Sequence, residues 1–457
     1  MKRGCVIGYD INEKGCQISY YDDSMEEPDT MMASSNNYLI PLVLGYFKDR
    51  WVFGKEAKRL AVVGEDCTET DLYGKAKRRE KVSLAGKTYD AVWLLAKYIS
   101  LTLQDFENIQ YLTFTTPETD VDMAKMLKGI GQHIGVDKEI INVQDYKESF
   151  CQYMIFQPKE LWQYESALFY CDEDRIKAYM LRRLRVDASH GMNSFVTVDE
   201  VANAQRKELE ALYPIMNKEK SPDESFKSMI ENVFEKKVIS SVYLTGEGFE
   251  KNWYPNSLRV LCNGRRAFMG NNLYSKGACY KSIRKCEPND DGPIYLDETK
   301  LTERICLRMR VDGQEGWYPL VTWGTHWYEA DGQWEVLLED ASDIEILVES
   351  LVDEEVQVEK VSLEGLPKRT DYSLRLQVEV MFLDERTCKL TFRDVGFGEF
   401  FTPTDFRVEK TIQLGGINGQ FNSMSVNVQS ARTRFPGCIC EFIQLKNYVI
   451  ICVIICI

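Results

Sequence analysis

The pattern of apolar and polar positions alternates between strand-like and helix-like in the first part of the chain. Residues 6–9 and 17–21 are apolar runs joined by the polar segment 12–15, which predicts a β-hairpin. Residues 91–106 then place apolar side chains at three- and four-residue spacing, and a second helix is predicted over 121–134. This alternation predicts a sheet with helices packed on it.

The alternation continues as far as a polar segment near residue 290. Residues 167–184 predict a second strand pair, and 198–212 and 223–237 predict helices. Residues 238–244 predict a strand that ends at a Gly-x-Gly turn. The segment 288–293 contains only polar and structure-breaking residues, which predicts a domain boundary.

Beyond that boundary the pattern becomes strand-like throughout. Short β-rich runs, several with alternating apolar and polar residues, are separated by turns and predict an all-β sandwich. These runs are 304–311, 335–338, 344–348, 356–363, 373–383 and 388–392. We therefore predict an α/β domain over 1–290, a β-sandwich over 291–414, and a linker with an apolar Cys-rich tail over 415–457.

Composition and charge narrow the function classes. The 71 acidic residues outnumber the 56 basic ones, and the net charge of −15 argues against nucleic-acid binding. The 14 cysteines are scattered and no apolar leader is evident, so we expect reduced thiols and a cytoplasmic location. The three histidines lie far apart, so no metal site is predicted.

The apolar end of the chain, residues 448–457, is about half as long as a membrane-spanning helix. Its β-prone residues predict either a strand added to an edge of the β-domain or an aggregation-prone segment.

Two motifs far apart in the chain carry a family resemblance. Residues 5–12 run an apolar strand through Gly8 and Asp10 into a polar turn, and residues 365–367 form a Gly-Leu-Pro turn before an alternating strand that ends at Asp384. Together they resemble a DnaK-type heat-shock chaperone. The resemblance implies an actin-like ATPase domain, which is a duplicated ribonuclease-H-like α/β fold, followed by an all-β sandwich domain.

The resemblance also implies a nucleotide site for ATP or ADP with Mg²⁺. Its cofactor-binding candidates at the phosphate end are Asp10, Asn12 and Lys14. Those at the base and ribose are Gly246, Gly248 and Gly277. The candidates for catalysis are Asp10, Lys75 and Asp172. The alternatives are that Asp10 closes a turn, that Lys75 and Lys77 belong to a solvated basic surface, and that Asp172 starts an acidic hairpin turn.

Two departures from the family pattern predict that the chain is not an efficient ATPase. Residues 172–174 are acidic where the family has three glycines that allow close approach to phosphate. Val143 or Gln144 stands where the family has a water-positioning glutamate, and a neutral side chain cannot act as a base. In the chaperone family a helical lid follows the β-domain; here that domain is predicted to end near residue 414, and we expect no lid of that size after it.

Three functions compete at this point. The first is a DnaK-like, chaperone-related pseudo-ATPase that acts by binding a peptide or a partner protein. The alternatives are a divergent but active ATP-dependent chaperone, and an actin-like scaffold or filament subunit. Four tryptophans between residues 317 and 334 predict either a binding platform or, as we favour, core packing.

Overall fold

The computed structural model describes most of the chain and divides it into two compact units. The described residues are 4–34, 37–63, 67–184, 195–205, 221–250, 253–287, 292–311, 313–339, 342–351, 356–366, 374–398, 401–415 and 452–455. One unit comprises residues 1–184 and 196–293, and the other 185–195 and 294–457. Residues 288–291 of the predicted boundary, Pro367 of the predicted turn and the predicted linker from 416 onward lie outside the described residues.

The first half of the α/β unit begins with a hairpin and continues with helices between strands. Its strands are β1 (Cys5–Ile11), β2 (Gly15–Tyr21), β3 (Asp29–Thr30), β4 (Ile40–Pro41), β5 (Leu44–Phe47), β6 (Arg50–Phe53), β7 (Thr68–Glu69), β8 (Lys81–Leu84), β9 (Lys87–Asp90), β10 (Ile109–Thr116) and β11 (Ile141–Asp145). Its helices are α1 (Gly54–Val63), α2 (Leu72–Lys77), α3 (Ala91–Thr102), α4 (Val121–Ile134) and α5 (Tyr146–Ile155).

The main sheet of this half has the order β11-β10-β1-β2-β3. β1 is antiparallel to β2 and parallel to β10, and β10 is parallel to β11. The two predicted helices are confirmed as α3 and α4. The carboxylate of Asp90 accepts hydrogen bonds from the first turn of α3, and Gly135 ends α4 in the left-handed conformation.

The second half of the unit repeats the strand order of the first. Its strands are β12 (Glu165–Cys171), β13 (Arg175–Leu184), β14 (Phe195–Gln205), β15 (Ile239–Thr245) and β16 (Arg266–Met269). Its helices are α6 (Pro222–Phe234), α7 (Pro255–Leu261) and α8 (Leu273–Cys286). The sheet runs β16-β15-β12-β13-β14. β12 is antiparallel to β13 and parallel to β15, which is parallel to β16.

The prediction of a helix over 198–212 is wrong for the residues that the structure describes. These belong to β14, and residues 206–212 lie outside the described part of the chain. The β-branched residues Val196 and Val198 are buried in the sheet, so tertiary packing decides against the apparent helical spacing. The helix predicted over 223–237 is confirmed as α6, which Ser221 caps through the amide of Glu224.

The second unit consists of strands, with no α-helix among its described residues. They are β17 (Ile294–Tyr295), β18 (Glu303–Val311), β19 (Gln314–Val321), β20 (Gly332–Glu339), β21 (Asp343–Ser350), β22 (Val356–Ser362), β23 (Leu374–Asp384), β24 (Thr387–Asp394), β25 (Arg407–Gln413) and β26 (Cys452–Ile455). Alternate residues of β23 are buried, which is the periodicity of a strand with one face in the core.

The strands of this unit follow the order β22-β21-β18-β26-β20-β23-β24-β25, and β19 also pairs with β18. Trp327, Trp334 and Tyr318 pack against its hydrophobic core, which confirms for them the core-packing interpretation of the tryptophan-rich segment. The tail contributes β26, so it does pair with the β-domain. The prediction that it adds to an edge is wrong, because β26 lies between β18 and β20.

Candidate nucleotide site

Asp10 lies near the end of β1, where the resemblance implies the phosphate end of a nucleotide site. Its side chain is only 4% exposed, and the Tyr146 hydroxyl donates a hydrogen bond to its Oδ1 at 2.7 Å. Burial raises the pKa of Asp10 to about 7, and the hydrogen bond from Tyr146 acts in the opposite direction. The carboxyl group is thus partly protonated near neutral pH, whereas Mg²⁺ is held by charged carboxylates.

Two tyrosine rings stack beside Asp10. Tyr146 is the first residue of α5, Tyr274 is the second residue of α8, and their ring centroids lie 3.7 Å apart at an angle of 7°. Both rings are buried, and the Asn12 amide donates a hydrogen bond to the Tyr146 hydroxyl at 2.9 Å. Asp10 and Asn12 therefore converge as the resemblance implies, but they converge on a protein side chain.

Lys14 lies at the tip of the β1–β2 hairpin and contacts a carboxylate from another part of the unit. Its ammonium group forms an ion pair with Glu247, which stands between the two glycines of the Gly-x-Gly turn. Both side chains are more than one-third exposed, so this pair contributes at most about 1 kcal/mol. Glu247 therefore neutralises the positive charge of Lys14, which is the charge that the resemblance assigns to phosphate binding.

The other two candidates for catalysis also have protein partners. The Oδ1 atom of Asp172 accepts hydrogen bonds from the backbone amides of Asp174 and Arg175, each at 2.7 Å. Asp172 therefore closes the hairpin between β12 and β13, which agrees with the alternative of an acidic turn. The Lys75 ammonium donates to Glu69 at 2.9 Å, a hydrogen bond that raises the pKa of Lys75.

Gly246 and Gly248 allow the turn after β15 to approach the hairpin that begins at Asp172. Gly246 has a φ of +101°, and a Cβ atom there would lie 2.9 Å from the carbonyl carbon of Cys171. A Cβ atom on Gly248 would lie 2.9 Å from the carbonyl oxygen of Asp172. Protein backbone thus occupies the space into which a side chain at either glycine would extend. That Gly246 and Gly248 line a base and ribose stays a prediction.

Gly277 serves the same purpose between two helices. A Cβ atom on this residue of α8 would overlap the carbonyl oxygen of Ser149 and lie 2.7 Å from its carbonyl carbon. The close crossing of α5 and α8 is therefore sufficient to require the glycine. Gly8 similarly lets β1 approach α8, because a Cβ atom on it would lie 2.8 Å from the carbonyl carbon of Ala278.

The position of the family's glutamate is occupied by buried neutral residues. Val143 is 4% exposed and Gln144 is 1% exposed. The Gln144 amide nitrogen donates a hydrogen bond at 2.7 Å to the Ser149 hydroxyl, which also contacts the Thr115 hydroxyl at 2.6 Å. Gln144 therefore supports the start of α5. Within the described residues, no group of three or more His, Cys, Asp or Glu side chains could hold a metal ion.

Three residues that contact the predicted candidates or each other were not predicted from the sequence: Tyr146, Tyr274 and Glu247. Tyr146 follows Asp145, whose carboxylate caps α5 by accepting from the amide of Glu148 at 2.8 Å. A helix that starts directly after β11 was the signal that could have placed Tyr146 next to Asp10, because parallel neighbouring strands end at the same sheet edge. For Glu247, the signal was its position between Gly246 and Gly248 in the Gly-x-Gly turn.

Comparison with known proteins follows the same division of the chain. The pattern of a family of unknown function, DUF5716 (C-terminal), matches residues 27–298, which is more than half of the chain. The chain belongs to this family. A domain of unknown function, DUF8552, matches residues 300–414. No curated protein matches the sequence at a significant level.

Among the described residues, no helix is both long enough and apolar enough to cross a membrane.

Proposed function

We propose that this protein is a chaperone-related pseudo-ATPase that acts by binding a peptide or a partner protein. The α/β unit would be a duplicated, actin-like fold. Its two sheets support this assignment, because β11-β10-β1-β2-β3 and β16-β15-β12-β13-β14 have the same strand order. In both halves a central strand is antiparallel to its hairpin partner and parallel to the next strand, as β1 and β12 are.

The proposed loss of nucleotide chemistry is supported by one observation, the buried hydrogen bond from Tyr146 to Asp10. A phosphate site needs backbone amides or cations directed at the anion, and Mg²⁺ needs charged oxygen ligands with room for water. Here a hydroxyl group donates to the carboxylate at 2.7 Å, and the ring of that tyrosine stacks on Tyr274. These side chains do not fit Mg²⁺ with ATP or ADP.

Binding of a macromolecular partner is the activity that such a scaffold retains. The partner would be a protein or a peptide, since the net charge of −15 disfavours nucleic acid. A cytoplasmic location would keep the cysteines reduced, and ten of those within the described residues are free thiols.

Phosphate release from Mg-ATP tests the proposal. We expect the purified full chain to release phosphate no faster than protein-free buffer, because each lost phosphate donor typically costs about 10²- to 10³-fold in rate. Asp10→Ala is the matched variant and should leave that background unchanged. ATP turnover by the wild-type protein that disappears in Asp10→Ala would overturn the proposal in favour of a divergent active chaperone.

A further inference from the structure

The most unusual feature of the second unit is the strand between β18 and β20. In the sheet, β26 lies between β18 and β20 and pairs with both. β26 runs parallel to β20, with register partners from Val336 and Cys452 to Glu339 and Ile455. It runs antiparallel to β18, where Arg310 pairs with Val453. We call the space bounded by Arg310 and by residues 336–339 the β18–β20 slot.

Core residues flank the β18–β20 slot: Val336 and Leu338 on β20, and Met309 next to Arg310 on β18. Met309, Val336 and Leu338 are at most 2% exposed and lie in one hydrophobic cluster. Residues that pair side by side in a sheet stand on the same face. A strand in the slot is therefore favoured when the positions beside Val336 and Leu338 are apolar, while the position beside Leu337 lies on the opposite face.

The occupant of the slot is short. β26 contains four residues, whereas β23 has eleven and β24 has eight. A four-residue strand forms fewer ladder hydrogen bonds than the long hairpin of β23 with β24, so it opens more easily.

We propose that the β18–β20 slot binds an extended, β-branched apolar segment of a partner protein, and that residues 452–455 are its internal competitor. The segment adds a strand parallel to β20, so backbone hydrogen bonds give affinity and the alternate apolar positions give specificity. This inference rests on the proposed function, since it supplies the site at which that function acts. The tail limits binding to partners that can displace it.

The test uses the full chain and a defined probe. The variant V453P/I454P removes two backbone N–H groups and disfavours β26. The matched threonine control V453T/I454V keeps both N–H groups, the β-branched shape and an apolar residue beside Leu338. The probe is the fluorescein-labelled peptide Lys-Lys-Val-Thr-Val-Thr-Val-Lys-Lys, and fluorescence anisotropy gives its Kd. We expect the proline variant to bind at least about tenfold tighter than the wild type and the threonine control.

Hydrogen exchange locates the bound probe. Those amides of residues 336–339 that face β26, and not the ones that face β23, should lose protection in V453P/I454P and regain it with the probe. A probe with N-methyl groups at alternate amides should not bind, because it cannot complete a ladder. Equal affinity of the probe for all three proteins would overturn the inference. Dimer formation by the proline variant with wild-type protein, without recovery of protection by the probe, would also overturn it and assign the slot to a second copy.

The phosphate-release assay on the same preparations separates this inference from the function on which it rests. Absence of turnover together with equal probe affinities rejects only the slot. Turnover that depends on Asp10 rejects the proposed pseudo-ATPase whatever the probe does.

Discussion

Replacing Gly277 by alanine is expected to destabilise the α/β unit strongly. The added methyl group would overlap the carbonyl oxygen of Ser149, so α8 must move away from α5. Overpacking of this kind typically costs about 1–3 kcal/mol, and the atoms that would have to yield here are backbone atoms. We expect the free energy of unfolding to fall by about 3 kcal/mol, measured by urea denaturation without nucleotide.

Gly129→Ala is the matched control for this prediction. Gly129 also lies inside a helix, α4, but a Cβ atom on it would meet nothing within 4 Å. Alanine should therefore stabilise the protein there by roughly 0.5–1 kcal/mol through helix propensity. If Gly277→Ala were as well tolerated as Gly129→Ala, the helix crossing would not need its glycine, and a role in ligand binding would regain support.

Replacing Asp10 by asparagine is expected to make the protein more stable than the wild type at high pH but not at low pH. The pKa of Asp10 is raised to about 7 in the folded protein, against 3.8 for an ordinary aspartate. Below about pH 4 both states are protonated. Between about pH 4 and 7 the unfolded chain loses the proton first, so the wild type loses about 1.4 kcal/mol of stability per pH unit, and the loss is complete above pH 7.

Chemical denaturation at pH 5 and pH 8 measures this effect. The difference in unfolding free energy, wild type minus Asp10→Asn, should fall by roughly 3 kcal/mol between these values. Taking the difference cancels every other titrating group. In Tyr146→Phe the hydrogen bond that favours the charged carboxylate is lost, so we expect an even larger loss of stability at pH 8. A difference that does not change with pH would mean that Asp10 is not buried as a near-neutral acid.

Local patterns predicted much of the secondary structure because the residues that cap helices and form turns lie next to the elements that they begin or end. Asp90 caps α3 through two amides of its first turn, and the polar segment after Ile11 turns β1 into β2. The prediction failed for residues 198–205, since pairing within a sheet depends on strands elsewhere in the chain. Periodicity in a short apolar segment cannot report that partner.

The candidate site was harder to predict for a similar reason. The sequence identified Asp10 and the Gly-x-Gly turn, and the structure brings Lys14 of the first hairpin to Glu247 of that turn. The sequence alone could not show that Gly277 lies against a helix backbone. A glycine is equally required beside a ligand and beside a closely packed helix. The stacking of Tyr146 on Tyr274 joins residues that are distant in the chain, so no local sequence pattern predicts it.

The most direct test of the central claim is a calorimetric titration of Mg-ATP into the full chain, with adenosine as the companion ligand. The claim is that protein side chains and backbone have replaced the nucleotide in the α/β unit. We predict no saturable heat for either ligand at concentrations up to about 1 mM, which corresponds to binding weaker than about −4 kcal/mol. A micromolar Kd for Mg-ATP that weakens at least about a hundredfold in Asp10→Ala would contradict the account.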